Sequence, residues 1–123
     1  MTTMKTYQAD SITTASPGQL VLMMYEGVLT SMRRATVAGT TETLDEALFD
    51  KELDRAVRIL AEMRGVLDHE RGGEIATNLD SLYTFCIELI ADAVEAGAVE
   101  PLATVSEIVG TLRDAWSDAV LAA

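Results

Sequence analysis

Ser16-Pro17-Gly18-Gln19 opens a run that is apolar at every position from Leu20 to Tyr25, and no other stretch constrains the fold as tightly. The Ser16 hydroxyl is placed to accept a hydrogen bond from a free amide of a first helical turn. Pro17 stands where its missing N–H is not needed, and Gln19 can reach back to complete a capping box. The spacing that follows predicts a helix from about Pro17 to Ala38, with Gly39 closing it in a left-handed conformation. This helix carries two apolar stripes, one through Leu20, Met24, Val28 and Ala35 and a second through Leu22, Tyr25, Leu29 and Met32. A helix lying on a small bundle buries one stripe. The other must meet a further helix, a second copy of the chain or another protein, which points to binding rather than chemistry.

Three more helices follow by the same reasoning. Thr43 and Glu46 form a second capping box, and Leu48, Phe49, Leu53, Ala56, Val57, Leu60, Met63 and Leu67 recur at helical steps to about Glu70. Asp45, Glu46, Asp50 and Asp54 crowd the start of that helix, where its dipole favours carboxylates. Gly72-Gly73 breaks the chain. A third helix is expected from Glu74 to Gly97, with Ile75, Leu79, Leu82, Cys86, Leu89 or Ile90 and Ala93 in the core and a surplus stripe through Tyr83, Ile87 and Val94, with Phe85 nearby. Pro101 opens a fourth, whose Leu102, Val105, Val109, Leu112, Trp116 and Ala119 make a near-heptad seam. Short connections make neighbours antiparallel. The expected fold is therefore an all-α, up-down-up-down four-helix bundle over residues 16–123. Residues 1–15 lack helical periodicity and read as a mobile N-terminal arm that docks through Tyr7 and Ile12.

The chemistry that such bundles often carry is absent from the sequence. A di-iron site needs two Glu-x-x-His pairs, and this chain has one histidine, His69, with Val66 three residues before it. One cysteine and one histidine cannot make a zinc site. No nucleophile is tied to an activating base, and Gly72-Gly73 matches no phosphate-binding loop. No cofactor and no metal are expected. A small helical mutase holding a dicarboxylate with buried cations is disfavoured, because most of the basic residues map to polar faces. The net charge of −11 argues against nucleic acid and against an anionic membrane surface. No apolar stretch approaches the ~20 residues that span a bilayer, so no membrane insertion is expected. The lone Cys86 reads as a small buried hydrophobe in a reducing compartment, and cytoplasm is the expected location.

Three motifs together resemble the FliS family of flagellin-specific secretion chaperones. They are Thr14-Ala15-Ser16-Pro17-Gly18-Gln19-Leu20-Val21-Leu22-Met23-Met24-Tyr25-Glu26-Gly27, then Leu67-Asp68 with Gly72-Gly73-Glu74-Ile75-Ala76, Asn78-Leu79 and Leu82-Tyr83, and finally Leu112-Arg113-Asp114-Ala115-Trp116 with Ala119. The resemblance implies a cytoplasmic, non-enzymatic bundle that binds the disordered C-terminal segment of flagellin. That binding would prevent premature polymerisation until the type III export apparatus takes the client, with a component of the flagellar export gate as a further partner. It also implies that an arm bearing Tyr7 lies over part of the client groove. The chain departs from the family pattern in lacking a second arm tyrosine and an extended basic tail, and in carrying Phe85-Cys86 after Tyr83.

On this reading the client-binding residues are Tyr7, Ile12, Leu22, Met23, Tyr25, Leu29, Met32, Tyr83 and Ile87, with the methionines supplying adaptable contacts. Leu20, Met24, Leu79 and Leu82 are expected in the core. The alternative is a self-associating helical adaptor, in which the surplus stripes pair two copies as a homodimer.

Overall fold

The computed structural model describes residues 16–40 and 44–122. Four helices account for nearly all of them: α1 Pro17–Thr40, α2 Glu46–Gly65, α3 His69–Ala96 and α4 Glu100–Ala122. Tyr7, Ile12 and Thr43 lie outside the described residues.

Local chemistry sets the boundaries. At the start of α1 the Ser16 N–H donates to Gln19 Oε1 at 2.9 Å, and the Gln19 N–H donates to Ser16 Oγ at 3.2 Å, which is the expected reciprocal cap. Helix α2 is capped by Asp45, whose Oδ1 accepts from the Leu48 N–H at 3.0 Å. It stops at Gly65, short of the expected Glu70, because Asp68 already caps the next helix by accepting from the Arg71 N–H at 3.0 Å. Helix α3 therefore starts upstream of the expected Glu74. The double glycine falls inside it as a kink, with Gly73 at φ 51°, ψ −122°. Gly97 ends α3 at φ 61°, in the left-handed region that its missing Cβ makes accessible. Gly39 does not close α1 in this way and stays helical. A Cβ placed on it would lie 2.6 Å from Val99 Cγ1 and 3.0 Å from Phe49 Cε1, so its role is close packing.

Helix α1 packs on α2 and α4, and α3 packs on the same two, closing a ring of four. The Trp116 Nε1–H donates to the Gly18 carbonyl at 2.8 Å, joining the end of α4 to the start of α1. At the other end Gly39 meets Phe49 and Val99, so α1 runs antiparallel to both neighbours. Arg64 and Asp80, 2.6 Å apart, tie the end of α2 to the first half of α3. These contacts fit the expected up-down-up-down course.

The core is one cluster fed by all four helices. Its large closed side chains include Tyr25, Val28 and Met32 from α1, Leu53 and Leu60 from α2, Ile90 from α3, and Leu102, Val105 and Val109 from α4. Several expected core positions turn outward: Leu20 and Leu82 are each 36% exposed and Leu48 is 37% exposed. In α3 the buried register is Ala76, Tyr83, Cys86, Ile90 and Ala93, with Leu79 packed against the cluster. This seam at three- and four-residue steps is offset from the expected one by a position at Ala76 and Tyr83, which sends Ile75 to the surface at 70% exposure.

Candidate functional site

The reason for that offset is a pair of tyrosines. Tyr25 on α1 and Tyr83 on α3 are 1% and 2% exposed, and their hydroxyls share a hydrogen bond of 2.6 Å. The rings meet at a tilt of 54° with centroids 6.3 Å apart. A buried phenol needs a polar partner, and each supplies the other's. Burial pushes the pKa of both hydroxyls upward, so they remain neutral phenols. Cys86, also in the core, is pushed up to about 11 by desolvation and stays a thiol at neutral pH. Nothing here resembles an activated nucleophile.

The expected client-binding set thus divides. Tyr25, Leu29, Met32 and Tyr83 belong to the interior of a single chain and do not form a surface wall; the second stripe of α1 is spent on the bundle's own core. Leu22 and Ile87 are half-buried, Ile87 packed against that core, and Met23 stands 46% exposed.

Apolar surface remains outside. Three furrows of similar size open on successive helix seams. Between α1 and α2, about 370 Å³ is lined by Leu20, Met23, Met24, Gly27 and Ile59, with Arg55 and Glu62 at the edge. Between α2 and α3, about 350 Å³ is lined by Leu53, Val57, Ile90, Ala91 and Val94, flanked by Asp50, Asp54 and Glu95. Between α3 and α4, about 350 Å³ is lined by Leu82, Ile108 and Leu112 with Thr104, Glu107 and Thr111. Phe85, 46% exposed, adds to the outer surface of α3. Sequence reasoning placed Val94 on a surplus stripe but missed Val57, Ile59 and Ile108 as wall residues. Their signal was present as apolar residues one step outside each core stripe. Among the described residues no group of His, Cys, Asp and Glu could hold a metal ion, and no helix is long and apolar enough to cross a membrane.

Among the described residues the bundle combines a closed core with apolar furrows on three of its seams. The sequence pattern of the family described as "Flagellar protein FliS" matches residues 1–123. The chain belongs to the FliS family. It is 33% identical over 103 residues to the flagellar secretion chaperone FliS of Campylobacter jejuni, covering 84% of this chain and 79% of that one. It is 32% identical over 120 residues to the flagellar secretion chaperone FliSB of Pseudomonas aeruginosa, covering 94% of each. To FliS of Bacillus subtilis it is 30% identical over 114 residues, covering 93% of this chain and 83% of that one. FliS relatives are named as chaperones, a class that holds proteins and performs no covalent chemistry, so this chain is a flagellar secretion chaperone and not an enzyme.

Proposed function

We propose that the chain binds the disordered C-terminal segment of flagellin in its surface furrows, prevents its premature polymerisation in the cytoplasm, and delivers it to the type III export apparatus through a contact with the export gate. The observation that carries this reading is the set of three apolar furrows on consecutive seams of a single chain. A client that wraps the bundle can fill them in turn with side chains at helical spacing.

The energetics require several anchors. Fully burying one large apolar side chain is worth ~1.5–3 kcal/mol. Ordering a disordered segment consumes ~2–5 kcal/mol or more, in addition to the loss of free translation and rotation. One furrow is therefore too little for micromolar affinity and a wrapped interface suffices. Met23 and Met24 give the α1–α2 furrow side chains that re-pack around different client residues. Leu22 and Ile87, half-buried and outside the lining of the three furrows, are proposed as further client contacts on this reading.

Sedimentation velocity tests the proposal. The free chain is expected to sediment as a monomer and to form a one-to-one complex with a flagellin C-terminal segment. A chain that stays dimeric on dilution and ignores the segment would instead be the self-associating adaptor.

A further inference from the structure

The seam between α1 and α2 differs from the other two in charge. Arg33, Arg34, Lys51, Arg55 and Arg58 lie along the middle of these two helices, whereas α3 and α4 carry only Arg71 and Arg113 among many carboxylates. On a chain of net charge −11 these two helices set six cations against six carboxylates, and Arg58 is paired with Asp54 at 2.8 Å, so the unspent positive charge of the seam is local, at Arg34 and Arg55.

Its centre has a specific construction. Glu52 is 6% exposed, and its carboxylate sits between Arg34 Nη1 and Arg55 Nη1, each 3.9 Å away. At that separation it attracts both guanidinium groups without taking a hydrogen bond from either, and Oε1 has no hydrogen-bond partner among the described residues. Both arginine side chains keep about half of their surface in solvent, 58% and 49%. One buried carboxylate thus holds two guanidinium groups at the lip of the seam, with N–H donors to spare and a local excess of one positive charge.

Apolar furrows flank this crossbar on both sides. The larger is the one around Met23 and Ile59; the second, about 260 Å³, lies between Arg33, Arg34, Val37 and Leu48, where Val37 is 62% exposed. Met23 and Val37 are separated along α1 by about four helical turns, roughly 20 Å. A bound helix lying along the seam would need apolar anchors at that same separation and a carboxylate near their midpoint.

On the footing of the client-binding reading, we propose that the α1–α2 seam receives an acidic amphipathic segment of the client, with a carboxylate held between Arg34 and Arg55 and apolar side chains seated in the furrows on either side. The apolar anchors supply most of the affinity, and the charge contact fixes the register. An acidic segment is repelled by the carboxylate-rich α2–α3 furrow, with Asp50, Asp54 and Glu95 at its edge, and meets Glu107 and no cation at the α3–α4 furrow, so of the three the α1–α2 seam favours it.

Fluorescence anisotropy with a labelled flagellin C-terminal segment and the full chain tests this. The R34Q/R55Q double variant is expected to bind about tenfold more weakly at low salt. Between about 0.05 M and about 0.5 M salt the unmodified chain should lose affinity and the variant should change much less. Replacing the acidic residues of the segment one at a time by their amides should single out one whose loss weakens binding to the unmodified chain but not to the variant. Far-UV circular dichroism establishes that the variant is folded. Tight binding with no difference between unmodified chain and variant, or with no acidic residue of the segment coupled to the arginines, overturns the charge contact and leaves the client reading standing. Failure of the unmodified chain to bind the segment at all overturns both.

Discussion

Tyr25 and Tyr83 show how one hydrogen bond decides what a side chain is for. Read along the sequence, each is an amphipathic ring on a surplus stripe, a natural residue for a groove wall. Folded, each hydroxyl satisfies the other across the core at 2.6 Å, a pairing between residues far apart in the chain that no local pattern reveals. Removing one hydroxyl leaves the other buried without a partner. Tyr25→Phe and Tyr83→Phe are each expected to lower stability by about 1–3 kcal/mol, and the double variant by clearly less than their sum, as chemical denaturation will measure. The pH dependence follows from the raised pKa of each phenol. A phenol that is harder to ionise in the folded state contributes stability in full below its unfolded value near 10 and loses it as the pH rises above that value. Cys86 behaves likewise from about 9 to about 11. Melting of the unmodified chain should therefore fall steeply above pH 10, and that of the double phenylalanine variant less steeply. Equal slopes would show that the phenols do not carry the effect.

At the scale of the element, most of the architecture was written locally. The Ser16–Gln19 cap, the stop at Gly97 and the start of α4 beside Pro101 each rest on a residue whose backbone preference leaves few alternatives. The boundary between α2 and α3 was misread because two breakers compete there. Gly72-Gly73 looks like the break, but the Asp68 cap acts first, folds the residues before Gly73 into a helical turn and leaves Gly73 as a kink. Gly39 was legible as special and misread in kind, since the contacts that require it come from Phe49 on α2 and Val99 in the connection between α3 and α4. Gly39→Ala should consequently destabilise the chain by about 1–3 kcal/mol through overpacking, even though alanine is the better helix former. A gain in melting temperature for that variant would show that α1 and α4 have room to separate.

At the scale of the molecule, the four-helix plan was predictable because amphipathic periodicity, short connections and the absence of strand alternation all lead to the same bundle. The binding surface was only half legible. Surplus apolar residues could be counted from the sequence, but which of them the core would consume depends on how the helices rotate against one another. The core took Tyr25, Leu29, Met32 and Tyr83, and left Met23, Leu82, Phe85 and Val94 outside. What remains is a ring of helices with apolar furrows on three seams, and with Arg33, Arg34 and Arg55 at the edges of the α1–α2 furrows. Titration calorimetry of the full chain with a flagellin C-terminal segment, set beside the same segment with its apolar positions replaced by serine, puts this account to its most direct test. We expect micromolar or tighter binding of the native segment with a negative heat-capacity change, and at least a hundredfold loss for the replaced one. Equal affinity for the two segments would contradict the account.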